Sequence, residues 1–347
     1  HKKEQRSMNK MNKLGNICQN TGKYYKNLNL GEVFKMKRFL IVTLISLFLI
    51  GFSITSAQRP YIAMISKGFQ HQFWQAVKMG AEKAAKDLNV TITFEGPESE
   101  AMVDKQIEML QAALAKKPTA LCIAALDSKA VIPYLEKAHS MGIPVIGFDS
   151  GVDSDIPVTT VATDNIKAAG YAADMMAKFI NRVGEVALVV HDQTSRTGID
   201  RRDGFVNRIK QKYPLIKIVD IQYGGGDHLK STDLTKAIIQ AHPRLKGIFG
   251  ANEGSAIGVI NAVREMNKVG KIVVIGYDSG KQQIDAIKSG LMAGAITQNP
   301  VGMGYMAVEA AVKAIKGEKL PKFIDSGFYW YDKTNIDDPK IKQCLYE

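Results

Sequence analysis

From Tyr61 onward, short apolar runs alternate with longer stretches whose apolar residues recur every three to four positions. The runs predict strands at 61–66, 90–94, 119–124, 144–148, 185–190, 216–221, 246–250, 272–276 and 293–297, with helices between them. The first intervening stretch shows the helical spacing well: Phe73, Val77, Ala81, Ala84 and Leu88 share one face, while Lys78, Glu82, Lys83 and Lys86 fall elsewhere. Regular alternation of strand and helix predicts an α/β protein built on parallel sheets. Nine strands exceed one small sheet, and 347 residues suit two domains.

An internal echo divides this pattern. Val145-Ile-Gly-Phe-Asp-Ser-Gly151 and Val274-Ile-Gly-Tyr-Asp-Ser-Gly280 differ at one position in seven. Each is an apolar strand ending in an aromatic residue and an Asp, at the strand's carboxyl end, where open α/β sheets bind ligands. Asp-Ser-Gly is also ordinary turn chemistry, but its recurrence in both halves points to two sheets offering Asp149 with Phe148 and Asp278 with Tyr277 to one cleft.

Upstream, Met36-Lys37-Arg38 precedes the apolar run Phe39–Ile50 and the small-residue stretch Gly51–Ala57. This is the layout of a secretory signal peptide cleaved after Ala57, because the last seven residues are too small and polar to continue a membrane span. Residues 1–35 are polar and rich in Asn and Lys, and Gly31-Glu32-Val33 can be encoded by a ribosome-binding sequence just ahead of Met36. They are expected to be a non-native extension, with Met36 as the true start. No Cys closely follows the apolar run, so a free periplasmic protein is expected rather than a lipid-tethered one.

Composition changes the picture in one respect. The net charge of +12 suggests a nucleic-acid partner until it is located: residues 1–57 hold 10 Lys/Arg and 2 Asp/Glu, leaving 36 and 32 in the remainder. The basicity belongs mainly to the leader, and the case for nucleic acid falls away. Of three Cys, Cys122 sits in an apolar run and reads as a small buried hydrophobe.

Catalytic signatures do not appear. The chain has no Walker loop, no Gly-x-Gly-x-x-Gly after the first strand, no Gly-x-Ser-x-Gly elbow, no His-Glu-x-x-His and no Cys-x-x-Cys. Gly224-Gly225-Gly226 reads as loop, the spacing of Asp149, Asp153 and Asp155 misses the EF-hand pattern, and most of the six scattered His are expected at the surface or as caps. Neither metal nor cofactor is expected. What the chain does carry, after its strands, is a mixture of planar polar groups and aromatic rings. Sugars require that mixture, since vicinal hydroxyls match a carboxylate or guanidinium and pyranose C–H faces stack on rings.

At these residues the sequence resembles the periplasmic sugar-binding proteins of ABC transporters, the branch of ribose-, galactose- and allose-binding proteins that includes the autoinducer-2 receptor. The resemblance runs from about Tyr61 to Asp332. It implies a periplasmic-binding-protein type I fold: two doubly wound parallel-sheet domains joined by a three-crossing hinge. The lobes would be 60–163 plus 299–327 and 164–298 plus 328–347, with crossings near Thr163-Asp164, Gln298-Asn299 and Gly327-Phe328. Closure of the hinge around a monosaccharide and presentation to a membrane permease, and through it an ATPase, would follow; a chemoreceptor is a further possible partner.

Carried over residue by residue, the resemblance implies ligand contacts from Ser66 at the first strand's exit and from the aromatic pair Phe73-Trp74, of which Trp74 is the better contact because Phe73 also fits the helix's apolar face. Asp149 and Asp278 close their strands, and Arg201 matches the Arg four residues before a Phe, with Arg202 facing water. Asn252 lies in Phe249-Gly-Ala-Asn-Glu253, and Gln298 follows the last cleft strand. Departures matter as well. Ser150 stands where ribose binders have Arg, and Gly226 where they have another stacking Phe. The first exit loop is one residue longer and carries Lys67 and His71. That loop and Thr93-Phe-Glu-Gly-Pro97 resemble the autoinducer-2 branch, whose Gln and Pro-containing loop are here Arg201 and Gly250-Ala-Asn252. A pentose or hexose other than simply ribose is favoured, with autoinducer-2 sensing open. A sugar-phosphate enzyme lacks a visible phosphate loop or nucleophile, and a repressor of the same sensor fold needs a helix-turn-helix where this chain, before Tyr61, carries the signal-peptide pattern.

Overall fold

A computed structural model describes residues 59–346 together with Gly31 and Lys35. The leader, its cleavage site and nearly all of residues 1–35, including Cys18, lie outside the described residues. Arg59 to Glu347 form one compact unit.

Twelve strands are present among the described residues: β1 (Tyr61–Ile65), β2 (Thr91–Glu95), β3 (Ala120–Ile123), β4 (Val145–Phe148), β5 (Thr159–Ala162), β6 (Gly184–Val190), β7 (Ile216–Tyr223), β8 (Leu245–Gly250), β9 (Val273–Tyr277), β10 (Gly294–Gln298), β11 (Phe323–Asp325) and β12 (Phe328–Tyr331). The helices are α1 (Gln72–Asp87), α2 (Val103–Ala115), α3 (Ile132–Ser140), α4 (Asn165–Phe179), α5 (Arg196–Lys212), α6 (His228–Ala241), α7 (Glu253–Glu265), α8 (Lys281–Lys288), α9 (Pro300–Ile315) and α10 (Pro339–Lys342). All nine strands expected from the apolar runs are present. The three that periodicity misses are a four-residue strand led by two Thr, a three-residue edge strand, and an aromatic edge strand that runs against its neighbour.

The strands form two sheets of the same winding, β2-β1-β3-β4-β5-β11 and β7-β6-β8-β9-β10-β12. Every pairing is parallel except β10 with β12. Parallel strands buried on both faces must be apolar throughout, which is why β3 (Ala-Leu-Cys-Ile) and β4 (Val-Ile-Gly-Phe) are buried at every position. Cys122 is fully buried in the first sheet, and burial pushes its thiol pKa up.

Helix α9, though late in the chain, packs on α1 and against β3, β4 and β5. The α1–α9 crossing needs glycine on both sides: a Cβ on Gly80 would sit 1.9 Å from the Val301 carbonyl oxygen, and one on Gly304 2.0 Å from that of Val77. This close approach fixes α1, so that its N-terminal turn faces the edge where both sheets' strands end. The chain passes between sheets at three places, and these are bonded to one another: Thr163 Oγ1 donates to Gln298 Oε1 at 2.8 Å and lies 3.4 Å from both Ser326 Oγ and the Gly327 carbonyl oxygen. Among the described residues, no helix is long and apolar enough to cross a membrane.

Candidate functional site

In a sheet of this winding the strand order reverses at the first strand, which leaves a crevice beyond the carboxyl ends. Both echoed motifs end there. Asp149 follows β4 and Asp278 follows β9, each with left-handed backbone, φ 55° and 78°. Their N–H groups donate to equivalent carbonyls of the next strand, Val161 at 2.9 Å and Ile296 at 2.6 Å. Left-handed backbone is costly for a residue with a Cβ and persists where surrounding structure imposes it. Here it turns two carboxylates off the sheet edges toward one another.

Between them lies a small cavity of about 20 Å³, bordered by Lys67, His71, Phe73, Trp74, Asp149, Arg201, Asn252, Asp278 and Gln298. That is room for about one water, so the two walls stand nearly closed on one another and a larger guest needs them to part. Its walls are tied together across the two sheets. Gln72 and Phe73, at the start of α1, donate their N–H groups to Glu253 at the start of α7, at 3.1 and 3.2 Å. Lys67 Nζ donates to Ser195 Oγ and Thr197 Oγ1 at 3.3 and 3.2 Å, and Gln70 Nε2 to the Gly226 carbonyl oxygen at 3.1 Å.

Nine of the eleven residues expected at the site thus border one cavity, and two stand behind it. Ser66 turns its hydroxyl to the carbonyl oxygens of Gly68 and Glu95, both at 3.2 Å. Tyr277 lies beneath Arg201, whose guanidinium carbon is 3.8 Å from the ring centroid. Asn165 Oδ1 accepts from both Tyr277 Oη and Arg201 Nε at 2.8 Å. Arg201 also donates to the Ala251 carbonyl oxygen at 3.0 Å, and its Nη1 lies 3.9 Å from Asp278. Phe148, the other echoed ring, packs edge-on against Trp74 in the core, at 6.2 Å. Phe73 and Trp74 both border the cavity as well as the core, at 4% and 1% exposure, so core and contact are not alternatives for Phe73. Arg202 is only half-buried and engages Asp203 and Tyr223.

The two Asp differ in their partners. Asp278 accepts from Gln298 Nε2 at 2.7 Å and from the Glu253 N–H at 2.9 Å. Asp149 is 4% exposed, yet no described residue donates to its carboxylate. Burial pushes its carboxyl up to about 7, against the opposing pull of Arg201 and Lys67. Glu253 is also pushed up to about 7, by burial and then by Asp278.

Residues that sequence reasoning missed complete the wall: Glu100, His191 and Thr197. His191 directly follows β6, so the same strand-end rule that selected Asp149 and Asp278 would have found it. Glu100 lies beyond β2 in a loop with Glu98, and nothing in the sequence separates the two. Of the His residues, His71, expected at the site, and His191, not singled out by sequence, are both buried, at 5% and 1% exposure. Burial lowers both their pKa values and keeps the imidazoles neutral. Burial alone would raise Glu100, but the Lys67 ammonium foremost outweighs it, and the carboxyl is held at about 2. Lys67 is raised overall, because Glu100 and Asp192 outweigh its own burial.

This arrangement, two facing sheets of one winding with polar groups converging on an enclosed cavity, matches known proteins. A family model described as "Periplasmic binding protein domain" covers residues 62–319. The chain belongs to the periplasmic binding protein family. Family members are transport binding proteins rather than enzymes. The D-allose-binding periplasmic protein of Escherichia coli is 27% identical over 294 residues, covering 82% of this chain and 93% of that protein. An Agrobacterium radiobacter carbohydrate transporter solute-binding protein, solved with D-arabinose, is 34% identical with a TM-score of 0.81, covering 83% of this chain and 99% of that one. An ABC transporter solute-binding protein of Agrobacterium vitis, bound to α-D-tagatopyranose, is 31% identical with a TM-score of 0.79, covering 83% and 100%.

Proposed function

We propose that this periplasmic binding protein is an exported, monomeric, non-catalytic receptor that closes around one monosaccharide and delivers it to an ABC import permease. The observation that carries this reading is the buried Asp149 carboxylate with no protein donor, facing a cavity that also presents Arg201, Asn252, Gln298 and the rings of Phe73 and Trp74. Two neighbouring hydroxyls of a sugar supply the missing donors, and the aromatic pair supplies a surface for C–H faces. The lobes are 60–163 plus 299–327 and 164–298 plus 328–347. Their joints are the bonded crossings at Thr163, Gln298 and Gly327, about which closure shifts the population from open to closed. Allose, arabinose and tagatose, bound by relatives, set the ligand class: pentoses and hexoses beyond ribose alone.

The test is to express residues 58–347, remove carried-over ligand by unfolding and refolding, and titrate D-ribose, D-allose, D-arabinose, D-tagatose and autoinducer-2 by calorimetry and melting. One sugar should raise the midpoint by several degrees, since stabilisation grows as RT ln(1 + [L]/Kd). A response to autoinducer-2 alone would move the protein to signalling. Turnover of a sugar phosphate without sugar binding would replace the receptor reading with an enzyme.

A further inference from the structure

One end of the cavity is bounded by Lys67, His71 and Glu100, with Gly226 beside Glu100, and counting donors there gives an unequal result. An ammonium has three donors; Lys67 gives two of them to Ser195 and Thr197 and holds Asp192 as an ion pair at 3.5 Å. Glu100 Oε2 is 3.9 Å away, near enough for charge but beyond a hydrogen bond. His71 does not serve Glu100 either. The Gln70 carbonyl accepts the Glu100 N–H at 3.1 Å, which turns the amide Nε2 toward His71 Nε2 at 3.1 Å and makes that ring nitrogen an acceptor.

A carboxylate has about four acceptor positions. Glu100 uses one well, for the Trp74 indole N–H at 2.8 Å on Oε1, and one weakly, for Asn252 Nδ2 at 3.5 Å on Oε2. The remaining capacity is 6% exposed on a cavity wall. Opposite stands Gly226, left-handed at φ +69°, where a Cβ would lie 3.0 Å from Glu100 Oε2. The missing side chain keeps the carboxylate's approach open.

We propose that Glu100 is a specificity-determining residue of the cleft: its carboxylate accepts a hydrogen bond from one ligand hydroxyl at the Lys67–His71 end, beside Gly226, with the Lys67 ammonium as its counter-charge. The inference rests on the sugar reading and adds a stereochemical rule to it. The preferred ligand carries a hydroxyl at that end and loses affinity when the position is deoxy or inverted, because a site built to bind a hydroxyl is left unpaired without it.

The experiment pairs the residue with the hydroxyl. Glu100→Gln keeps an oxygen for the Trp74 N–H and removes the charge. Parent and variant are titrated by calorimetry with whichever of D-allose, D-arabinose, D-tagatose and D-ribose the parent binds best, then with that sugar's monodeoxy and epimeric analogues. The variant should lose about 10- to 100-fold for the parent sugar, while for the analogue lacking or inverting one particular hydroxyl its loss should shrink below about threefold. An equal loss for every analogue, or no loss for the parent sugar, would overturn the proposal. If Glu100→Gln fails to fold, Glu100→Asp, which withdraws the oxygens by one methylene beside the same Lys67, is read on the same analogues with the same expectation. A parent that binds none of the sugars overturns the sugar reading itself, a result in which the Glu100 variants play no part.

Discussion

The ends of β4 and β9 carry the same seven residues but for Phe148 against Tyr277. They share a left-handed Asp and an equivalent backbone hydrogen bond. Their surroundings nevertheless give the two carboxylates different work. Asp278 is held by Gln298 and the Glu253 N–H, and it faces an Arg201 that Asn165 and Tyr277 hold in place. Asp149 has a core-packed ring behind it and no donor on its oxygens. One half of the cleft is fixed by the protein alone; the other, on the proposed reading, is completed by the ligand.

The largest effects should come from removing each carboxylate in turn. Asp149→Ala and Asp278→Ala should each weaken sugar binding by about 2–5 kcal/mol, as expected when buried hydrogen-bonding groups lose a charged partner. They should part company without ligand. Asp278→Ala should also lower the melting midpoint, since Gln298 and the Glu253 N–H are left unpaired at about 1–3 kcal/mol per group, whereas Asp149→Ala should leave it unchanged or higher. Equal midpoints for the two unliganded variants would erase the asymmetry.

The pH dependence sharpens the same contrast. The buried Asp149 keeps its proton up to about 7, while an open or unfolded chain releases it near 4. The native form therefore binds more protons between those values, and this contribution to stability is present below about pH 4 and is lost as pH rises through 7. Buried His71 and His191, lowered by burial, act with the opposite sign below about 6.5, so the carboxyl is read as a difference. The unliganded Asp149→Asn variant should gain on the parent by about 2–4 kcal/mol between pH 5 and 8, measured by denaturant unfolding. A constant difference across that range would mean that Asp149 is already ionised in the closed cleft.

The smallest effect concerns the single difference between the motifs. Tyr277→Phe makes the two heptapeptides identical, keeps the ring under Arg201 and removes only the bond to Asn165. A loss of about 0.5–1.5 kcal/mol in sugar affinity is expected by calorimetry. A far larger loss would show that the hydroxyl, and not the ring, positions the guanidinium.

The sequence made the two-sheet architecture legible because parallel strands buried on both faces leave continuous apolar runs, and because the Asp-Ser-Gly echo marks both binding edges. Asp149 and Asp278 were legible from that echo, whereas Trp74, Arg201 and Asn252 came from the resemblance to the sugar-binding family, position by position. Glu100 was not legible, since a loop has no period to mark which of its acids turns inward. Ser66 and Tyr277 were expected as ligand contacts but stand behind the cavity wall, because which way a side chain points behind a strand end is decided by packing. The pairing of Glu253 with α1 lies some 180 residues away along the chain, beyond what any local pattern encodes.

The late position of α9 has a consequence for how the chain comes into being. The first sheet's strands β1 to β5 are made early, yet the helix that covers α1, β3, β4 and β5 arrives only after residues 164–298 have been synthesised. Until then an apolar face lies bare, and the long separation in sequence delays its closure. The first sheet gains its full helical cover only late in translation. For a polypeptide that, on the export reading, threads through a membrane unfolded, this order of synthesis keeps the chain open until the crossing is nearly done.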